Sequence, residues 1–424
     1  MKIAIIGTGI SGNVAAYHLS REHDLTVYEA GDHVGGHTHT HTIDREGKQI
    51  AVDSGFIVFN RETYPNFIRL LDELGVQAQP TTMGFSVKSE RNGLEYSGSG
   101  ANGLFAQRGN LLRPGFWGMV RDILRFFREA PALLRSWDES LTLGDYLRRN
   151  RYGHEFIDHY IIPMGAAIWS TDPEKMLMFP ACYFVRFFRN HGLLGANDRL
   201  QWYVIKGGSR SYVDRLTAPF RDRIRLRCPV VSVRRFPSHV RVRSADGHVE
   251  NFDHVLIATH SDQALRMLED ASPLEREILG AIPYQRNEAV LHTDHTLLPE
   301  TRRAWAAWNY HILARQQDHA ALTYNMNILQ GLPLKETLCV TLNHTDAIDP
   351  GRIIKRMYYD HPLYTPAGVA AQARHAEING THRTWFAGAY WGHGFHEDGV
   401  VSALRALEHF RERAHAQLPL RRAS

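Results

Sequence analysis

Gly7, Gly9 and Gly12 are spaced so that the first can close a tight turn, the second can admit a pyrophosphate to the backbone, and the third can let a helix pack closely. The amides around Ile10 and Ser11 would then face phosphate from a helix N-terminus. Glu29 falls roughly twenty residues on, where a carboxylate accepts ribose hydroxyls. This is dinucleotide chemistry, and the motif alone leaves NAD and FAD open. The elements that must position it are also present. Ile3-Ala4-Ile5-Ile6 reads as a buried strand, Val14, Ala15, Ala16 and Leu19 as a helix, and Leu25-Thr26-Val27-Tyr28 as a second strand, giving a βαβ opening.

The next segment, Ala30-Gly31-Asp32-His33-Val34-Gly35-Gly36-His37, decides between the cofactors. It resembles the second flavin motif of the flavin-containing amine oxidase superfamily, in which Gly-Gly-Arg follows the ribose-binding glutamate. Gly35 and Gly36 match, and His37 stands where the family has arginine, so a titratable imidazole replaces a permanent charge. The resemblance implies FAD held by Gly7, Gly9, Ile10, Ser11, Gly12, Glu29, Ala30, Gly35, Gly36 and His37, with Gly55 and Phe56 passing near the isoalloxazine. It further implies a strand from Ile224 to Val233 near the adenine, including Val231, and a late buried strand ending at Ala258 and Thr259.

Trp385 to Leu404 reads as strand, glycine-rich loop and helix. In the resembling family this segment closes the flavin site, which implies roles for Gly388, Asp398, Gly399 and Val400, with a helix starting near Gly399 or Val400. His393, His396 and Glu397 are the candidate proton acceptors, and Tyr390 and Trp391 the candidate walls of the ring. His37, His39 and His41 alternate as strand residues do and are the one candidate metal cluster. No acidic or sulfur ligand completes it, so no metal is expected.

The middle of the chain resembles a substrate unit inserted between cofactor elements. Between Leu111 and Trp137 arginines mix with large apolar residues, and Phe116, Val120, Ile123, Leu124 and Phe127 recur at helical spacing beside Arg121, Arg125 and Arg128. With Tyr183-Phe184-Val185-Arg186-Phe187-Phe188-Arg189 this gives two segments suited either to an anionic membrane surface or to ordinary core packing. Tyr160 to Trp169 suits the wall of a narrow apolar tunnel or a packed helix.

Composition agrees with two packed units: 424 residues, 43% hydrophobic and 22% charged, with a formal charge of only +4 that carries no nucleic-acid signature. Cys182, Cys228 and Cys339 form neither a disulfide framework nor a zinc spacing, which points to a reducing, cytoplasmic setting. No signal-like or membrane-spanning run is read.

The expected fold is α/β: a Rossmann-like FAD-binding domain from 1–76, 204–264 and 345–415, an inserted α+β substrate domain from 77–203 and 265–344, and a tail at 416–424. The GGH motif, the Tyr324-Asn325-Met326-Asn327 stretch and the Gly394-Phe395-His396-Glu397-Asp398-Gly399 ending resemble one branch of the superfamily. That branch includes the FAD domain of plant cyclopropane fatty acid synthases and the flavin desaturases of bacterial methylated and furan fatty acids. It implies dehydrogenation of a lipid acyl chain. The alternatives are oxidation of a soluble amine and a non-catalytic flavin-binding partner of a lipid methyltransferase. The expected partners are a hydrophobic small molecule, an anionic membrane surface and such a methyltransferase.

Overall fold

A computed structural model of the protein describes residues 1–136, 138, 140–195, 200–315 and 318–416; Trp137 and the tail residues 417–424 lie outside them. A five-stranded parallel sheet runs in the order Ile224–Arg225, Asp24–Tyr28, Lys2–Ile6, His254–Ile257 and Thr384–Phe386. Its strands are apolar runs because both faces are covered. Ile3 and Ile5 pack with Val14 of the helix Ile10–Leu19 and with Ala403 and Leu407 of the helix His396–Ala416. The alternate residues Ala4 and Ile6 pack on the opposite face with Val255, Phe252 and Ile278.

The strand expected from Ile224 to Val233 is two strands. Ile224–Arg225 ends at the edge of the parallel sheet, and Val230–Arg235 opens an antiparallel sheet with Val240–Ser244 and Val249–Phe252. Between them Arg227 adopts a left-handed backbone, and the amides of Arg227 and Cys228 bond back to the carbonyls of Gly31 and Glu29. The break thus ties this turn to the segment that follows the ribose-binding position.

A seven-stranded sheet forms the second layer, in the order Ile353–Pro362, Tyr284–His292, Cys339–Leu342, Ala321–Asn325, Trp308–Ile312, Phe85–Ser89 and Glu95–Ser97. Ile353–Pro362 lies within the stretch assigned to the cofactor domain, yet it pairs along nearly its whole length with Tyr284–His292. Four of the central strands carry a buried polar row, His292–Thr341–Thr323–His311, with contacts of 2.7, 2.8 and 2.9 Å. Each side chain in the row finds a partner on the next strand, which makes polar residues tolerable in this core.

Helices cover the rest of this layer. In Pro114–Glu129 the inward face is Phe116, Met119 and Phe126, while Leu124, one of the apolar residues read at helical spacing, faces solvent. The aromatic side chains of Tyr183–Arg189 lie in the helix Ala181–Asn190 and are buried against Phe126, Phe156 and Trp169. That segment is core, which removes it as a membrane-inserting element. Among the described residues no helix is long and apolar enough to cross a membrane.

Candidate active site

The glycine turn sits at the C-terminal end of the parallel sheet. A methyl group on Gly7 would lie 2.8 Å from the Ala258 carbonyl oxygen, and one on Gly12 only 1.9 Å from the Gly7 carbonyl oxygen, so both are demanded by close backbone approach. A methyl on Gly9 would meet nothing within 4 Å. Gly9 instead borders a cavity of about 890 Å³ lined also by Gly7, Ile10, Ser11, Glu29, Ala30, Gly35, Gly36, His37, Val231, Ala258, Thr259 and Gly388. The first intrahelical bond runs from the Asn13 amide to Gly9, which leaves the Ile10 and Ser11 amides for a ligand.

The Glu29 carboxylate accepts from the amide and hydroxyl of Thr8 and from the Gly31 amide at 2.7 Å, and it borders the same cavity. These bonds orient it and leave acceptor capacity for ribose hydroxyls. Lys355 and Arg356 also line the wall, supplying positive charge that position 37 lacks. The glycine cradle, the oriented carboxylate and the free amides suit a dinucleotide such as FAD.

A second cavity of about 190 Å³ abuts the first, and His37, Tyr359, His361, Gly394, Phe395 and His396 border both. Gly55 and Phe56, assigned to the cofactor, line this second cavity and not the first. None of its lining residues carries a carboxylate, ammonium or guanidinium group. Trp169, Phe187, Trp202, Trp308, Tyr324 and Tyr364 supply much of the wall. From the tunnel candidate Tyr160–Trp169 only Ile168 and Trp169 reach it, because Ala166 and Ala167 pack into the core.

The candidate catalytic residues separate. The His396 ring stacks on Phe56 with centroids 3.5 Å apart, and its Nε2 lies 2.8 Å from the Tyr212 hydroxyl and 2.9 Å from that of Thr38. Burial pushes its pKa down to about 3, so the ring is neutral and already engaged. His393 lines the second cavity, stacks on Tyr183 at 4.3 Å and is likewise pushed down to about 3, by burial and then by Arg186. Its Nε2 has no hydrogen-bond partner among the described residues. Tyr390 borders the dinucleotide cavity, whereas Trp391 packs in the core beside His375 and borders neither cavity.

Glu397 also borders neither cavity. Its carboxylate accepts from the amides of Asn66 (3.1 Å) and Phe67 (2.9 Å), capping the helix Pro65–Glu73, whose own N-cap Tyr64 offers no side-chain bond. Glu397→Ala is therefore expected to lower stability by about 1–2 kcal/mol in urea unfolding, with the flavin spectrum unchanged.

The C-terminal helix begins at His396, three residues before the expected start at Gly399. Asp398 sets this start by accepting from the Phe395 amide at 2.9 Å, as the third residue of a helix does in a capping box. The amides of His396, Glu397 and Asp398 precede the first intrahelical bond, from Gly399 to Phe395, and so take the position expected of later residues. Gly399 is a packing glycine: a methyl there would lie 2.6 Å from Ile10 Cγ2, and its carbonyl accepts from Ser11 Oγ at 2.9 Å. Val400 is core. Gly12, Asp398, Gly399 and Val400 thus support the site from behind without lining it.

Burial pushes Asp398 up to about 7, against the lowering effect of the amides it accepts from. A carboxyl raised in the folded state contributes stability that is complete below about pH 4 and is lost as pH rises through about 7. Replacing it with asparagine should flatten the dependence of the melting temperature on pH between 5 and 8.

Two residues outside every motif complete the junction. Tyr359 and His361 alternate along one edge strand and reach both cavities. The Tyr359 hydroxyl is 2.6 Å from Ser54 Oγ, which is 2.8 Å from His41 Nε2, and it is 3.2 Å from His39 Nδ1. The three histidines of the alternating segment do not converge, since the strand starts only at Thr40. His37 turns towards Tyr359 and His361, while His39 stacks on His33 at 4.0 Å and meets His41 at 4.1 Å with the rings tilted by 53°.

Residues 10–292 match the family model described as flavin containing amine oxidoreductase, and the chain belongs to that family. Its cofactor is FAD and its class that of a flavin-type oxidoreductase. Cyclohexylamine oxidase from Brevibacterium oxydans IH-35A superposes with a TM-score of 0.72 over 98% of this chain and 99% of its own, at 19% identity. A CLA-producing fatty acid isomerase from P. acnes superposes with a TM-score of 0.64 over 96% and 98%, at 18% identity. Tryptophan 2-monooxygenase of Allorhizobium ampelinum (strain ATCC BAA-846 / DSM 112012 / S4) is 32% identical over 155 residues, a match spanning 36% of this chain and 20% of that protein's length.

Proposed function

We propose that the protein dehydrogenates a lipid acyl chain beside a double bond or methyl branch, as the branch resemblance implies. The observation that carries this reading is the second cavity, walled by aromatic and aliphatic side chains with no fixed charge among its lining residues. An uncharged acyl segment can enter it without leaving a charge unpaired, whereas a carboxylate or ammonium group would be desolvated with no counter-ion. The structural likeness to a fatty acid isomerase is consistent with this fold accommodating acyl chains.

When bound, FAD supplies an acceptor for the hydride's electron pair. The chain's part is to hold the acyl segment against the junction, exclude water, and carry off the second hydrogen as a proton. Tyr359 is placed for that transfer. Burial pushes its hydroxyl up to about 12, which keeps it protonated, so it takes one proton as it gives its own to His39 or, through Ser54, to His41. Burial pushes those imidazoles down to about 3 and 4, so they are neutral, weak bases that hold the proton only in passing, and His39, which borders the first cavity, hands it on to water there.

Amine oxidation is the second reading, favoured by the aromatic walls, which would admit a neutral amine. The deciding experiment is the flavin spectrum of the holoprotein, recorded anaerobically before and after vesicles of methyl-branched unsaturated phospholipid, and separately after cyclohexylamine. Bleaching by the lipid is expected. Bleaching by the amine alone would transfer the assignment to amine oxidation, and an oxidised flavin in both would favour a scaffold for a lipid methyltransferase.

A further inference from the structure

Four of the largest exposed apolar side chains crowd into one short stretch. Leu111, Leu112, Trp117 and Leu124 are 47%, 87%, 48% and 59% exposed. Leu111 and Trp117 adjoin, since Trp117 Nε1 donates to the Leu111 carbonyl at 2.9 Å, and Leu112 is the next residue in the chain. Along the helix Pro114–Glu129, Trp117, Arg121, Leu124 and Arg128 recur at spacings of four, three and four residues, which sets them in a single outward stripe. Phe116, Met119 and Phe126 hold the opposite face in the core. Isolated exposed leucines need no explanation, but a contiguous patch of this kind does.

The charge along this stretch is predominantly positive. From residue 105 to 136 the chain has six arginines, Arg108, Arg113, Arg121, Arg125, Arg128 and Arg135, against two acids, Asp122 and Glu129. Asp122 is buried and accepts from the Gly153 amide, and Glu129 accepts from Arg125 and Arg128, so both acids are engaged within the fold. The guanidinium side chains of Arg121 and Arg128 remain 78% and 77% exposed.

We infer that this face docks on an anionic phospholipid bilayer. Leu112, Trp117 and Leu124 enter the acyl boundary, while Arg113, Arg121 and Arg128 lie at the headgroup phosphates. The complementarity of an apolar ridge and an arginine flank selects this partner over a neutral bilayer or an acidic protein, because neither uses both features. The inference goes beyond the proposed reaction and does not depend on it, since the docking is read without turnover.

The test is sedimentation of the holoprotein with vesicles of phosphatidylcholine alone and of phosphatidylcholine mixed with phosphatidylglycerol. The flavin spectrum of every variant serves as the check that it has folded. The wild-type protein should pellet with the anionic vesicles only and be released by salt at about 0.5 M, where surface charges are screened. Arg113→Glu with Arg121→Glu should weaken binding by at least roughly twenty-fold, at about fivefold per lost cation. Leu112→Ser with Trp117→Ser should abolish it, while Lys48→Glu, at the exposed start of the strand Lys48–Asp53, should leave it unchanged. Failure of the wild-type protein to bind either vesicle would overturn the inference, as would undiminished binding of both double variants. Dimers on size exclusion that the Leu112→Ser, Trp117→Ser variant abolishes, with no vesicle binding, would overturn it in favour of a second copy of the chain.

Discussion

Gly12→Ala should yield a protein that purifies without flavin colour and unfolds in less urea than the wild type. Its methyl group would stand 1.9 Å from the Gly7 carbonyl oxygen and 3.2 Å from Ala258 Cβ, and the first of these is backbone that cannot rotate away. Relief requires the helix Ile10–Leu19 to move off the glycine turn, which displaces the Ile10 and Ser11 amides from the cavity wall. Overpacking of this kind costs about 1–3 kcal/mol of stability, and lost phosphate contacts should lower flavin affinity by well over about tenfold. Gly9→Ala supplies the contrast. Its methyl group meets no protein atom and enters the dinucleotide cavity, so the apoprotein should keep wild-type urea stability while flavin retention falls. If both variants lost stability equally, the division of the two glycines into packing and ligand-facing roles would fail.

The second large effect is expected at Asp53. Its buried carboxylate accepts from the Ser209 amide at 3.0 Å, Ser209 Oγ at 3.1 Å, Thr40 Oγ1 at 2.5 Å and Gln330 Nε2 at 3.0 Å. It therefore ties the hairpin Thr40–Arg45 and Lys48–Asp53 to the start of the helix Arg210–Thr217 and to the segment after Met326–Leu329. Asp53→Ala leaves the Ser209 amide, Thr40 Oγ1 and Gln330 Nε2 without this acceptor, while Ser209 Oγ keeps the Phe56 carbonyl, so at about 1–3 kcal/mol per orphaned donor a loss of at least about 3 kcal/mol is expected in urea unfolding. Burial also pushes Asp53 up to about 6, so the stability tied to its protonated form is complete below about pH 4 and lost as pH rises through 6. Asp53→Asn, neutral at every pH, should consequently cost less at pH 8 than at pH 5.

The parts of the site that could be read from sequence are those written in local steric terms. Gly12 and Glu29 act through neighbours within one βαβ unit and Gly7 through the positive φ of its own turn, so their spacing carries their roles, although the Ala258 carbonyl that also presses on Gly7 comes from a distant strand. Gly399 looked like a ligand-facing glycine because glycine near a helix start has two uses, and only the approach of Ile10, far away in sequence, selects packing. Glu397 looked catalytic for a similar reason, its real partner being a helix end more than three hundred residues earlier. Tyr359 and His361 carried no motif, and the pairing of Ile353–Pro362 with Tyr284–His292 is what brings them to the junction. The two basic aromatic segments were indistinguishable by composition. One is enclosed by Phe126, Phe156 and Trp169, and the other has its stripe turned outward.

The bond from Ser11 to Gly399 and the seating of Thr384–Phe386 beside His254–Ile257 join early and late parts of the chain. On a ribosome adding about 5–20 residues per second, roughly 20 to 80 seconds separate the appearance of these two halves. During that interval the helix Ile10–Leu19, almost wholly buried in the finished protein, has no C-terminal helix to cover it. Flavin capture is for this reason expected to wait until the segment from Thr384 to Gly399 has been made. Truncation of the chain anywhere before Gly399 removes the partner of Ser11, and such a product is expected to lose its cofactor.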